Sequence, residues 1–446
     1  MVTDVTDDAT VERARAPIPY PVRVVVTLLL LAAYVFGRRL NLPGVDHEAL
    51  LELLGTDLSG VLMLGLNPLI TGFLLVELFS LMTSPGRRLR ERGTDGRATL
   101  NRAALIASLL LAGVQATGIA RTLETMPSPS AAAIVAFPGL QFTLLTVATL
   151  TATTAALFAL GQAISAYGIG NGFALLLLTR AVLPIVQAGS RSLTTLDAQF
   201  QGTILLLAVG AAVGIVLFFR RAEDAWLPAF PQGLVPAQVA VSVSPLVWLA
   251  IAWLVHIPRD VRPPAFAGPL MALVLIPLLS WAAFHLFSSR ARLQANLTDP
   301  EEFLDGLAAS LRRRAIGATA LLALGTAASL AWRIYRPNPL AFVLDFTELV
   351  FLLAIVLDVW DQYRFQRQVG ATAQLIQLDN VHFSYRLEER LQEAGIAALA
   401  RGHQLRSLSF FFGALFKIDV LVDADQLDRA REVLAEVETA REVRAF

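Results

Sequence analysis

The chain has 446 residues, 55% of them apolar and only 16% charged, with a mean hydropathy of +0.60. A soluble domain carries about 25% charged residues, so a soluble multidomain enzyme is excluded, as is a disordered chain, which is polar. Basic and acidic residues balance at 36 each, leaving no global basic field for nucleic acid. Cysteine is absent, which excludes disulfides, cysteine–zinc sites, Cys-ligated clusters and thiol nucleophiles.

Ten apolar stretches follow in order, at about 22–40, 60–82, 103–121, 140–165, 172–189, 202–220, 236–256, 268–288, 314–333 and 341–362. Each is near the length that spans a bilayer. The first follows a polar start containing Asp4, Asp7 and Asp8 and is bounded by Arg23 and Arg38. No small-residue cleavage site follows it, so it reads as a retained span rather than a signal peptide. The second begins weakly and meets Asn67-Pro68. Proline breaks a helix, and interrupted backbone survives in a membrane only against protein or a watery cavity; this segment is expected to line a cavity. Arginines set the orientation. With the N-terminus in the cytoplasm, the inside segments, including Arg87 to Arg102 and Arg312 to Arg314, hold about twice as many as the outside ones. Ten spans then return the C-terminus to the cytoplasm.

After about residue 368 the apolar runs stop. Leu375 to Leu378 reads as a strand, Tyr385 to Ala394 as an amphipathic helix stopped by Gly395, Ile396 to Ala400 and Phe416 to Val422 as strands, and Asp423 to Glu438 as a capped helix. The order predicts a small α+β domain. The domains are therefore expected at 1–20 (cytoplasmic segment), 21–368 (ten-helix membrane domain) and 369–446 (cytoplasmic, ferredoxin-like α+β).

Several stretches carry a family resemblance. They are Pro43-Gly44-Val45-Asp46, Leu64-Gly65-Leu66-Asn67-Pro68-Leu69-Ile70-Thr71, Gln115 to Ala120, Gly161-Gln162-Ala163-Ile164 through Gly168-Ile169-Gly170-Asn171-Gly172, Gly233 to Ala237, and Leu357-Asp358. Together, and in this order, they resemble the SecY family, the channel subunit of the Sec translocon. The resemblance implies an all-α membrane fold of ten helices in two inverted five-helix halves, with a lateral gate between spans 2 and 7 and a midplane pathway between the halves. It also implies an aliphatic pore ring, mapped here to Leu66, Ile70, Leu177, Gln238 and Phe351. Such a ring resists ions by being hard to wet.

The departures from the family matter as much. Pro43-Gly44 to Gly65 is short for a plug. The loop after Arg220-Arg221 runs almost at once into Leu227-Pro228, without the long basic hairpin. The loop from Ser288 to Arg312 lacks the second docking tip, and Gln238 replaces an aliphatic ring residue. SecA- or ribosome-driven secretion is thereby placed in doubt, and a divergent SecY paralogue fits better than the housekeeping channel. The tail also loosely resembles a small bacterial domain described as signal-transducing, through Leu391 to Ile396, Val420 to Val422 and Ala430 to Leu434.

Among polar residues, Arg180 inside the fifth span is costly, about 2.5–3.5 kcal/mol on insertion scales. It reads either as a pore or gate charge, paired with Glu77 in span 2, or as a side chain that snorkels or is buried against a helix end. Gln238 either wets the constriction or makes an interhelical hydrogen bond, and Asp358 reads as a tether for the last span. The Gly168 to Gly172 run follows a membrane helix rather than a strand, so it is a tight turn and not a phosphate loop. His47, His256, His285, His382 and His403 are scattered, without metal-ligand spacing. No cofactor, metal or catalytic residue is expected, and the chain is expected not to be an enzyme. The expected function is a protein-conducting channel subunit of the bacterial inner membrane, multi-pass with both termini cytoplasmic, acting on polypeptide and held among lipids, with a SecE-like small subunit as an implied partner. The alternatives are a non-conducting regulatory or scaffold paralogue and an exporter of one peptide or small solute.

Overall fold

The computed structural model describes residues 19–54, 60–91, 93–126, 134–180, 198–223, 226–255, 267–288, 301–335, 346–378, 380–409 and 415–443. The helices are α1 (Tyr20–Gly37), α2 (His47–Leu54), α3 (Asn67–Met82), α4 (Ser84–Glu91), α5 (Gly93–Thr125), α6 (Leu140–Tyr167), α7 (172–180), α8 (Ala198–Glu223), α9 (Val235–Leu254), α10 (Ala267–Phe287), α11 (Glu301–Tyr335) and α12 (Phe346–Val369). The tail adds β1 (Thr372–Leu378), α13 (Val381–Glu393), β2 (Ala398–Arg401), α14 (His403–Leu408), β3 (Ile418–Asp423) and α15 (Leu427–Val443).

Each of the ten apolar stretches falls on a helix in its described residues, except 60–66 and the end residues 38–40, 255 and 288. The part of the fifth stretch beyond residue 180, and residues 1–18, 224–225 and 289–300, lie outside the described residues. Five helices among those described are long and apolar enough to cross a membrane: Tyr20–Gly37, Ala98–Thr125, Leu140–Tyr167, Ala267–Leu286 and Glu301–Ala331. Helices α5 and α11 outrun the apolar stretches that predicted them. Hydropathy sees only the apolar part, whereas flanks such as Glu301 to Arg314, rich in Glu, Leu, Ala and Arg, are good helix formers and continue the same helix.

Contacts divide the chain into two compact units. The first holds Val24–Leu183 with Ser409–Phe416; the second holds Met1–Arg23, Pro184–Leu408 and Lys417–Phe446. In the first unit, α5 presents Ala104, Ser108, Ala112, Ala116 and Ala120 every fourth residue, all fully or almost fully buried. That spacing puts them on one stripe, and small side chains let backbones approach closely. Helix α6 answers with Phe142, Thr146, Leu150, Thr154, Leu157, Gly161 and Ile164 on one buried face, while Leu140 and Leu144 on its other sides are exposed. A helix that is apolar all round, yet buried on one face only, suits a lipid surround.

In the second unit the tail forms a three-stranded antiparallel sheet in the order β1-β3-β2, with β3 central. Asn380 starts α13 by accepting from the backbone N–H groups of His382 and Phe383 at 3.0 and 3.2 Å. Gly395 ends it in the left-handed region (φ 74°), a conformation glycine adopts at no steric cost. The short α14 between β2 and β3 is not evident from periodicity, since six residues are too few for a helical pattern to register. The tail packs with α11 around Leu304, Leu311, Phe383, Leu387, Val420 and Val422.

Candidate functional site

The interrupted entry to α3 is built from turns. Gly60 pairs with Asn41, and the N–H groups of Val61, Met63 and Gly65 donate to Leu40, Gly60 and Leu62 at 2.8, 3.0 and 2.8 Å. These bonds satisfy backbone that is not helical, the condition for placing such backbone at membrane depth. Gly65 takes φ 55°, and Asn67-Pro68 then opens the helix, with proline in its first turn, where its missing N–H costs nothing.

Arg180, on α7, donates from Nη1 to the Asn67 side-chain oxygen at 2.9 Å. It thus reaches the start of α3 and not Glu77, which lies about 15 Å further along that helix by the helical rise. Arg180 is exposed and Glu77 is buried. Of the ring residues expected in this unit, Leu66 is buried at the N-cap of α3, while Ile70 and Leu177 are half-buried. In the second unit Gln238 is exposed on the first turn of α9 and Phe351 is half-buried on α12.

The glycine-rich run is a packing device. A Cβ on Gly172 would sit 2.1 Å from the Gly161 carbonyl oxygen, and one on Gly161 would enter the Phe173 ring. Asn171 caps α7 by accepting from Ala174 N–H at 3.1 Å and donates its side-chain amide to the Leu415 carbonyl at 2.8 Å. The Thr27 hydroxyl accepts from Ile169 N–H at 2.9 Å. These contacts use the turn to hold helices together, the structural role expected of it.

The second unit holds a polar layer that sequence reasoning found only at Asp358. That carboxylate accepts from Gly402 N–H at 3.2 Å, tethering α12 to the tail. Nearby, Arg220 on α8 makes a two-pronged pair with Asp361 on α12, at 2.7 and 3.1 Å, and a third contact with Glu223 at 2.7 Å. The tail meets the residues that precede α9: Leu234 N–H donates to the Leu408 carbonyl at 2.8 Å, and Ser288, just after α10, donates to the Pro231 carbonyl at 2.8 Å and lies 3.4 Å from His382. Glu388 and His403 are buried beside one another, 3.7 Å apart, with the Tyr385 ring 4.7 Å from the imidazole. Only pairing across the fold, which periodicity does not encode, could have revealed this layer. Among the described residues no group of three His, Asp or Glu side chains could hold a metal ion.

Burial pushes the Glu388 carboxyl up from 4.5 to about 8, against the Ala400 N–H that favours its charge and with Glu223 and Asp361 adding to the rise. Burial pushes His403 down from 6.5 to about 4. Between 4.5 and 8 the folded state keeps a proton on Glu388 that the unfolded chain has lost, so stability falls as pH rises through that window. His403 acts oppositely between 4 and 6.5, so the Glu388 contribution is read most directly above 6.5. Glu388→Gln is therefore expected to make the decline in the tail's urea resistance from pH 6.5 to 8 shallower than in the unmodified protein. Parallel declines in both would refute the assignment.

The family model described as SecY matches residues 60–225, which contain the α3 entry, the α5 stripe and the Gly161–Gly172 turn. Over those residues the chain is similar to SecY-family proteins. A second model, described as "Putative prokaryotic signal transducing protein", matches residues 380–438, the tail from α13 into α15. The SecY-family relatives include "Protein translocase subunit SecY" of Rickettsia conorii (strain ATCC VR-613 / Malish 7), 28% identical over 234 residues that cover 47% of this chain and 53% of the relative. The protein of the same name from Aquifex aeolicus (strain VF5) is 31% identical over 178 residues, covering 36% and 42%. The chain spans about half the length of the curated relatives it matches. Solved structures similar to it include "The structure of a protein conducting channel", at 13% identity and TM-score 0.43, and "Sec61 in the Canine ribosome-channel complex from the endoplasmic reticulum", at 12% and 0.44; each comparison covers 79% of this chain and 94% of the other.

Proposed function

We propose that this chain is a SecY-like channel subunit, a conduit rather than an enzyme, through which polypeptide crosses or enters the bacterial cytoplasmic membrane. The observation that carries this reading is the SecY-family match over residues 60–225, because it coincides with the interrupted entry to α3. In this reading the chain is multi-pass, with ten spans in two inverted halves and both termini cytoplasmic. Helices α3 and α9 flank the lateral gate, and Leu66, Ile70, Leu177, Gln238 and Phe351 narrow the pore. Arg180 places a cation beside Leu66. An apolar segment in the open gate leaves for lipid because burying about 20 apolar residues away from water is strongly favourable. Energy comes from outside the chain, whose sequence contains no Walker motif, and a SecE-like small subunit is the expected companion. The reduced loops favour a specialised clientele over SecA- or ribosome-driven secretion.

A photo-crosslinker at Ile70 in living cells tests this. Capture of nascent or exported polypeptides is expected, and the breadth of that set separates a general channel from an exporter of one peptide. Capture of nothing but the chain itself, with folded protein and a reactive probe, would refute conduction. That result would favour the second reading, a regulatory or scaffold paralogue, which the tail's contact with the residues that precede α9 motivates.

A further inference from the structure

A partly open cavity of about 320 Å³ lies within the second unit, between α13 of the tail, the first turns of α11 and Trp226-Leu227. That volume is at the lower end of small-molecule sites. Trp226, Phe303 and Tyr385 bring three aromatic rings to its wall, and Gly306, Arg386 and Glu389 complete the part that matters here.

Trp226 sits at φ 52°, where its N–H closes a turn on the Glu223 carbonyl at 2.8 Å. Glycine is the usual occupant of such a position after a helix, and a bulky residue there is a steric outlier. Strain of this kind persists where the surroundings over-determine it, often at ligand sites. Here the strained backbone delivers an indole to the cavity.

Arg386 and Glu389 stand one turn apart on α13 and pair at 2.5 Å. The guanidinium lies 4.7 Å from the centre of the Phe303 ring, within cation–π range. The pair offers the cavity a donor and an acceptor side by side with no net charge. A charged ligand would have to separate them; a neutral one with adjacent N–H and C=O groups could lie along both.

We infer that this cavity is a binding site for a neutral, planar heteroaromatic molecule with an amide-type edge, of the size of guanine or a flavin ring. The ring stacks among the aromatic side chains while its C=O accepts from Arg386 and its N–H donates to Glu389. The site lies wholly within the second unit, so it goes beyond the channel reading and stands whether or not the protein conducts.

The test is titration of the purified full chain in detergent with riboflavin, followed by its own fluorescence, and with guanosine, followed calorimetrically. Saturable binding of at least one of them is expected, with Kd below about 1 mM. Gly306 lines the cavity and a Cβ there meets nothing within 4 Å, so the backbone accepts a side chain at this position; Gly306→Trp should weaken binding at least tenfold at an unchanged unfolding temperature. Trp226→Gly should raise that temperature by relaxing the backbone, yet weaken binding. Absence of saturable binding by both probes, or binding indifferent to Gly306→Trp and Trp226→Gly, would overturn the assignment.

Discussion

Asp419→Ala is expected to unfold the tail sheet at a cost of about 3–5 kcal/mol, the range for removing one partner of a buried ion pair. Asp419 sits on the central strand β3, directly opposite Arg401 on β2, and the two form an ion pair. From the other side, Gln374 and Gln377 on β1 donate to the same carboxylate at 3.3 and 2.8 Å. One side chain thus ties all three strands, and its loss leaves the Arg401 guanidinium buried without its counter-charge. The sign of the effect separates this account from a generic packing defect. Replacing both partners by apolar residues, Arg401→Met with Asp419→Leu, removes the charge that must not be stranded, and such replacements are often neutral or stabilising. Hydrogen exchange of β3 amides in the full chain reads this directly: strong deprotection in Asp419→Ala, recovery in the double variant. Equal deprotection in both would mean that the pair itself supplies the stability.

What was legible in the sequence and what was not divide along the range of the interactions. Helices α1, α6 and α10 follow from unbroken apolar runs, because a bilayer-length run records its own burial. The turn at Asn67-Pro68 was legible because proline acts on its own backbone. The helix stop at Gly395 is local in the same way. Arg180 was singled out from its cost in an apolar run, but its partner was not: Asn67 is 113 positions away in the chain, and Glu77 was only the nearest charge of opposite sign on a neighbouring span. The Glu388–His403 contact, the Arg220–Asp361 pair and the strained Trp226 left no pattern at all. Each is a long-range pairing or a backbone angle imposed by packing, and hydropathy counts neither. The short α14 was lost because six residues hold less than two turns.

Gly72→Leu is expected to lower the unfolding temperature sharply and to disturb the α3 entry with it. A Cβ on Gly72 would fall 2.7 Å from both the backbone nitrogen and the Cα of Ser108 on α5, and 2.2 Å from its hydroxyl. The hydroxyl could rotate away from its bond to the Ala104 carbonyl at 2.7 Å, but backbone has no rotamer to change. Helices α3 and α5 must therefore separate, and overpacking of this kind costs about 1–3 kcal/mol or more. Small residues are what let two membrane helices come this close. Gly118, on the same α5, is the control: a Cβ there meets nothing within 4 Å, so Gly118→Ala should stabilise by up to about 1 kcal/mol through helix propensity alone. Because Ile70 is half a turn before Gly72, the shift that relieves the clash also moves the candidate pore residue. Crosslinking from Ile70 should then fall in Gly72→Leu and stay level in Gly118→Ala. A Gly72→Leu protein as stable as the original would show that α3 is free to move away from α5, and with it that the close approach is not what fixes the α3 entry.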